Sequence, residues 1–558
     1  MKTKSDLIFI RLYKKEKYMD KEYFGAMLDM SRNAVMKPEE VKNYARVLKS
    51  FGYNMLMLYT EDTYEVNGEP YFGYMRGRYT KEELKDVDAY CASIGVELIP
   101  CIQTLAHLGN IFRWGEYGDI NDVNDILLAE DERTYKLIDN IFSTLAECFK
   151  TRNVHIGMDE AHMLGLGKYL DLHGMKNRFE ILVNHLKKVS EIAAKYGFKP
   201  MMWSDMFFRL ANHGEYYVGK NAHIPQEVID ITPKEVGLVY WDYYHDKKQP
   251  FADMIKAHKQ FDNEIWFAGG AWSWTGFASS NFYTLQTMKP AMKACRENGL
   301  NKIFLTLWGD NGKECSFYSL LPSLYAVRKF YEGEENMNVI KAGFKEVTGE
   351  DFDAMAALDI PNFVGGAKNV FQNLGKNSLY RDLLNNYYDS TLYDEIVKTV
   401  PGEYKRHARR LSRLAKNSAN YGYIFKSSAA LCDMLSVKFS LGYNIRKAYE
   451  NKDRDGLKRA VDEIKKAEVK LEKFYYAFRE LWYKENKPHG FDVQDIRLGG
   501  LKMRLRSTRE RISDFLDGKI AKIDELDEEL LDVYCGKDDP KKPVGCFMWS
   551  WNVSVNNI

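Results

Sequence analysis

The stretch CRENGLNKIFLTLW, residues 295–308, decides the fold. A charged amphipathic run stops at Gly299, the residue type that closes helices most readily because it accepts left-handed backbone. The apolar, β-rich run after it reads as a strand buried on both faces. The same order recurs in VLKSFGYNMLMLY (47–59), AYCASIGVELIPCI (89–102) and AAKYGFKPMMW (193–203). Extending the search gives eight strands, near 24–29, 54–60, 96–102, 153–158, 199–204, 237–242, 264–271 and 302–308, most of them separated by helical patterns such as FEILVNHLKKVSEIAAKYG. Eight β-then-α units over about 310 residues predict an α/β fold, a (β/α)8 TIM barrel with insertions, for which ~250 residues is typical. An open doubly wound sheet is the structural alternative, but no G-x-G-x-x-G follows any strand.

Beyond about residue 335 the grammar changes to long helical periodicity rich in Lys, Arg, Glu and Leu, as in GLKRAVDEIKKAEVKLEKFYYAFRELWY. The expected organisation is a catalytic barrel over 1–335, an all-helical C-terminal domain over 336–537 and a tail over 538–558, whose CFMWSWNVSV alternates like one strand packing back on the body. The helical domain carries no chemical motif. Its stretch GFDVQDIRLGGLKMRLRSTRERI sets Asp492 and Asp495 among arginines and reads first as a solvated helix with internal ion pairs; a homodimer contact or a contribution to the mouth of the active site are the other readings.

With 80 Lys+Arg against 79 Asp+Glu in 558 residues, the formal charge is +1. That balance points away from nucleic acid and anionic membrane surfaces and toward a neutral small molecule or a protein. Eight cysteines without C-x-x-C spacing read as reduced core thiols, not as a disulfide framework or a zinc site. No apolar run approaches the ~18 residues that cross a bilayer. The opening MKTKSDLIFIRLYKKEKYMD is too weakly apolar for a signal peptide, so a cytoplasmic location is expected.

In a barrel, catalytic groups sit at the C-terminal ends of strands. Here the runs end in LDMSR (Asp29, Arg32), YTED (Glu61, Asp62), IQTLAH (Gln103, His107), MDEAH (Asp159, Glu160), WSD (Trp203, Asp205), YWDYY (Trp241, Tyr243, Tyr244), GGAWSW (Trp272, Trp274) and LWGD (Trp308, Asp310). Five of the ten tryptophans and a run of acids thus converge on one face, the chemistry of sugar recognition: indole faces against C–H groups, carboxylates on hydroxyls. The plain alternative is that the tryptophans plug the barrel top and the acids cap helices. Adjacent side chains on a strand point to opposite faces, so Asp159 and Glu160 reach one cavity only where the strand ends and bends. Two carboxylates there can divide glycoside cleavage between a protonated acid and an ionised group set against positive charge.

HIGMDE resembles the H-x-G-G-D-E signature of glycoside hydrolase family 20, the exo-β-N-acetylhexosaminidases, with Met158 where Gly is usual. GAMLDMSR resembles that family's first strand, NMLMLYTED its second, TLAH its D-x-P-G-H segment and LWGD its W-G-E, over residues 20–330. The resemblance implies a retaining, substrate-assisted hydrolase removing terminal GlcNAc or GalNAc from small glycans, with neither metal nor organic cofactor. It implies Glu160 as general acid then base and Asp159 as the partner of the acetamido N–H. It further implies His107 and Asp62 as a supporting relay, Arg32 and Asp310 on outer hydroxyls, Trp308 stacked on the ring, and Trp203 and Trp241 around the acetamido group. The chain departs from the family pattern at Gln103 (usually an acid), at Asp310 (usually Glu) and at Ser273, which follows Trp272 where a Tyr is usual; Tyr243, Tyr244 or Trp274 are the candidates to take over from that Tyr. With about 20 residues before the first strand, a compact intracellular branch is expected. A two-carboxylate β-glycosidase using Asp62 or Asp310 as nucleophile, and an inactive sugar-binding barrel, are the rival expectations.

Overall fold

A computed structural model describes residues 21–219, 222–367, 373–536, 549–551 and 553–554. Eight parallel strands close into a barrel: β1 (Tyr23–Asp29), β2 (Met55–Tyr59), β3 (Glu97–Cys101), β4 (Asn153–His155), β5 (Lys199–Trp203), β6 (Gly237–Asp242), β7 (Ile265–Gly270) and β8 (Lys302–Leu307). Closure is made by β1 against β8, in register from Tyr23 opposite Lys302 to Leu28 opposite Leu307, which rules out the open sheet.

The local reason for the strand positions is the one the sequence suggests. Gly52, Gly95, Gly197 and Gly299 adopt φ of 90°, 69°, 76° and 72°, each directly after a helix and just before a strand. The helix is stopped within two residues and the apolar run behind it is delivered to the barrel. Strands β2, β6 and β8 are buried along their whole length. Strand β4 is the exception, since only three of its expected residues pair before the chain bends. Between β3 and β4 an insertion carries a short hairpin (Asn121–Val123 with Ile126–Leu127) that lies beside the barrel mouth.

The last barrel helix is Leu321–Glu332, and from Met337 to Asp527 the described chain is helical, with long helices at Asp394–Asn417, Gly422–Lys438, Arg454–Glu485 and Phe491–Leu516. This region is joined to the barrel by a backbone link, with Lys37 N–H donating to Glu485 O (2.9 Å) and Lys487 N–H to Val35 O (2.8 Å). Beside it the buried Glu485 carboxylate accepts from Ser316 Oγ (2.6 Å) and Tyr423 OH (2.9 Å). The expected tail strand lies largely outside the described residues; of its described residues, 549–551 form a single helical turn, with Trp549 packed on Tyr380 at 5.0 Å. Six of the seven described cysteines are buried and all seven are unpaired. Among the described residues no helix is long and apolar enough to cross a membrane.

Gly299 gives a clean test of the cap, because nothing lies within 4 Å of where a Cβ would stand. Only the backbone objects, so Gly299→Ala is expected to lower stability by about 1 kcal/mol, read as a shift in chemical denaturation midpoint without loss of fold.

Candidate active site

The site forms where β4 ends. Gly157 and Met158 both take φ of 72° and Glu160 takes 50°, so the chain turns sharply through left-handed backbone immediately after the strand. Glycine accepts this without strain, but Met158 does not, and it is held by full burial and by donating its N–H to Gln103 Oε1 at 3.2 Å. A Cβ at Gly157 would collide with that same Gln103 amide. The turn brings the adjacent Asp159 and Glu160 to one cavity.

That cavity, about 120 Å³, is lined by Arg32, Tyr59, His107, Asp159, Glu160, Trp203, Trp241, Tyr243, Tyr244, Trp274, Trp308 and Asp310. His107 Nε2 stands 3.2 Å from Asp159 Oδ2 and 3.8 Å from Glu160 Oε2. Gln103 Nε2 donates to Asp159 Oδ1 (2.8 Å) and to Tyr59 OH (2.9 Å), and Tyr59 OH donates on to Glu61 Oε1 (3.0 Å). Glu61, beneath the cavity, receives Arg32 Nη2 at 3.2 Å. On the other side of Glu160, Asp205 Oδ2 accepts its backbone N–H (3.3 Å) and Arg209 Nε (3.1 Å), while Arg209 Nη2 lies 3.8 Å from Glu160 Oε1.

The electrostatics follow from these neighbours. Burial works against a charge on His107, but the Asp159 carboxylate, aided by Glu61, outweighs it and pushes the imidazolium up to about 10. Burial likewise opposes the charge on Asp159, yet His107 and the Gln103 amide hold its carboxyl below the ordinary range. Asp205 is pushed up to about 7 by burial and by Asp159, and Asp310 up to about 6 by burial against the opposing pull of Arg32. The site thus mixes carboxylates held ionised with carboxylates held near neutrality.

Eleven of the seventeen strand-end residues named from the sequence line the cavity, and Asp62 and Trp272 are among those that do not. Asp62 is buried elsewhere, gripped by Arg76 (Nη2 to Oδ1 3.0 Å, Nε to Oδ2 3.2 Å), so it does not support His107. The chain reverses at Glu61 (φ 45°), which sends the Glu61 carboxylate toward the barrel axis and its neighbour toward Arg76. The carboxylate facing His107 Nδ1 is instead Asp125, at 3.8 Å, from the hairpin insertion. Trp272 lies fully buried behind the wall, stacked on Trp274 at 4.2 Å, with its indole N–H on Tyr243 O at 3.1 Å. His155 and His162 are outside the cavity lining; His155 packs on Trp203 at 4.4 Å and burial pushes it down to about 3.

Four contributors escaped the sequence reading. Tyr59 looked like strand core, and Asp125 and Arg76 lie in loops with no motif. Arg209 alone carried a signal, one helical turn after Asp205 in DMFFR. Among the described residues no group of three or more His, Cys, Asp or Glu is placed to hold a metal. A larger cavity, about 620 Å³, lies in the helical domain, but its one carboxylate, Asp382, is tied to Arg504 at 2.7 Å, and it offers no acid–base pair.

The family model described as "Glycosyl hydrolase family 20, catalytic domain" matches residues 22–249, and that described as "Glycoside Hydrolase 20C C-terminal domain" matches 350–545, together well over half of the chain. The chain belongs to glycoside hydrolase family 20. It is 24% identical over 236 residues to a beta-hexosaminidase of Akkermansia muciniphila (36% of this chain, 46% of the relative). It is 23% identical over 217 residues to hexosaminidase D of Bos taurus (36% and 57%). The chain therefore spans about half the length of the curated relatives it matches. Among solved structures it is similar to a family 20 exo β-N-acetylglucosaminidase from Vibrio harveyi, with a TM-score of 0.46 at 15% identity, covering 61% of this chain and 58% of that one.

The His107–Asp159 pair makes a pH prediction. A histidine raised to about 10 contributes stability that is complete below its unfolded value of ~6.5 and declines as pH rises through the folded one. Asp159, lowered, contributes above its unfolded ~3.9 and loses that contribution on acidification. Thermal midpoints of wild type and His107→Gln are expected to differ most near pH 6 and to converge by about pH 10. A gap that stays constant across that range contradicts the pairing.

Proposed function

We propose that the chain is a retaining, exo-acting β-N-acetylhexosaminidase that removes terminal β-linked GlcNAc or GalNAc from small glycans by substrate-assisted catalysis. The observation that carries this reading is that two carboxylates adjacent in sequence both meet one histidine in a single aromatic-lined pocket. Family membership supports the hexosaminidase class. Our division into a barrel up to 335 and a helical domain from 336 is supported by the break between Glu332 and Met337.

In this reading the sugar's own 2-acetamido oxygen attacks the anomeric carbon as the bond to the leaving oxygen breaks, and Glu160 gives that oxygen its proton. The resulting oxazolinium is opened by water, from which Glu160 recovers a proton, so two inversions give net retention. Holding the internal nucleophile in place is an effective-molarity effect, on the general scale of ~10⁵ to 10⁸ M. Asp159, kept ionised by His107 and Gln103, takes the acetamido N–H and offsets the developing positive charge. His107, with Asp125 behind it, offsets the charge that Glu160 acquires on giving up its proton.

Arg32 and Asp310 face outer hydroxyls, Trp308 stacks on the ring, and Trp203, Trp241 and Trp274 wall the acetamido group. Tyr243 is the residue we assign to the role that Ser273 leaves open: its buried hydroxyl receives Trp308 Nε1 at 3.2 Å and lines the same cavity. With Asp62 consumed by Arg76, the two-carboxylate alternative loses one of its two nucleophiles.

The test is parallel hydrolysis of aryl β-GlcNAc, β-GalNAc and β-glucoside with an oxazoline-mimicking thiazoline as inhibitor. Turnover confined to the N-acetyl sugars with tight thiazoline inhibition is expected; glucoside turnover at a comparable rate overturns the mechanism. Glu160→Gln is expected to lower kcat by ~10² to 10⁴-fold, and Tyr243→Phe by about 10²-fold through loss of one donor.

A further inference from the structure

The loop after β8 carries Trp308 and Asp310 into the pocket, and its backbone is costly. Asn311, Gly312 and Lys313 take φ of 59°, 130° and 53° in succession, a run that L-residues do not hold unaided. From the barrel side, Asp29 Oδ2 accepts the Gly309 N–H at 2.8 Å. The tip is held by the helical domain. Asn311 O accepts from Lys376 Nζ (3.1 Å) and Arg497 Nη1 (2.5 Å), and Gly312 O accepts from Gln494 Nε2 (3.0 Å). Glu314, buried, receives Lys376 Nζ at 2.7 Å and Arg497 Nη1 at 3.2 Å. Trp549 covers both cations, its ring centroid 4.2 Å from Lys376 Nζ and 4.6 Å from the Arg497 guanidinium.

The same segment reaches a second active-site loop. The Asn373 side-chain amide donates to Thr275 O, and a Cβ at Gly276 would stand 3.1 Å from Lys376 Cβ, directly after Trp274. The domain has separate anchors on the barrel, through the 35–37 and 485–487 backbone and the Glu485 hydrogen bonds.

We propose that the helical domain completes the sugar pocket: Lys376, Gln494 and Arg497 are positioning residues that fix residues 309–314, and so set where Asp310 and Trp308 meet the sugar's outer hydroxyls. This rests on the proposed function for its kinetic readout, and on the loop alone for its structural one. Contacts to outer hydroxyls are made alike in ground and transition state, so their loss falls on KM more than on kcat.

The experiment compares the full-length wild type with Arg497→Gln, Arg497→Lys and the double variant Lys376→Met with Glu314→Leu, which replaces the buried Lys376–Glu314 pair by apolar groups and leaves the partly exposed Arg497 on Asn311 O. Arg506→Gln, an exposed i,i+4 pair with Glu510 on the same helix, is the control. Arg497→Gln and the double variant are expected to raise KM for aryl β-GlcNAc about tenfold with kcat within about threefold, and to speed amide hydrogen exchange of 309–314 with an unchanged thermal midpoint. Arg497→Lys recovers part of the effect, and Arg506→Gln matches wild type. Unchanged KM and unchanged loop exchange in both test variants overturn the proposal, as does a loss confined to kcat and thermal midpoint. If wild type turns over none of the three sugars, the functional reading fails, and the exchange of 309–314 still decides whether the helical domain holds the loop.

Discussion

The site depends on how the chain leaves β4. A strand delivers neighbouring side chains to opposite faces, and a barrel has only one face that opens on the cavity. Two adjacent carboxylates can share that cavity only if the backbone turns between strand and helix, and here Gly157, Met158 and Glu160 make the turn through left-handed conformations. The close approach of the Gln103 amide fixes glycine at 157, and that amide then pays for the strain at Met158 by accepting its N–H. Its other end donates to Asp159, so one side chain from β3 supports the turn and orients the carboxylate that the turn presents. The usual acid at position 103 would supply no such donor while ionised, which accounts physically for an amide at this point of the wall.

Charge in the pocket is distributed with a bias. Asp29, Glu61, Asp159, Glu160, Asp205 and Asp310 surround the cavity or lie just beneath it, against Arg32, His107 and Arg209. Burial alone would neutralise several of these acids, and it does push Asp205 to about 7 and Asp310 to about 6. Asp159 escapes because His107 stands at 3.2 Å and Gln103 at 2.8 Å. A surplus of acids suits a reaction that develops positive charge on a sugar ring.

What the sequence made legible was local or repeated. Four of the eight strands were announced by a helix-stopping glycine, and those glycines do occupy left-handed backbone. The convergence of strand ends was legible because barrel closure guarantees it, and eleven of the seventeen residues named from it line the cavity. The failures are non-local. Glu61 and Asp62 are neighbours of one charge type, and which one turns inward is decided by Arg32 and Arg76, placed by other segments. Trp272 and Trp274 are two apart, yet one is lining and the other is its support. Gln494 and Arg497 carry no local mark of a role at β8, because their partners lie more than 180 residues away. No periodicity encodes such a meeting.

The arrangement of the acids also bears on the source of the nucleophile. A two-carboxylate retaining enzyme sets its acid and nucleophile on opposite sides of the anomeric carbon, with carboxyl groups ~5 to 5.5 Å apart. Asp159 and Glu160 are instead successive residues whose carboxylates lie 3.2 and 3.8 Å from the same imidazole nitrogen. Along the arc from β5 to β7 the wall is aromatic: Trp203, Trp241, Tyr243, Tyr244 and Trp274. The remaining carboxylate of the lining is Asp310, which burial pushes up to about 6 against the pull of Arg32. In the mechanism proposed above, this arc of indole and phenol rings faces the methyl and amide of an N-acetyl group, and that group brings the oxygen that such a wall does not provide.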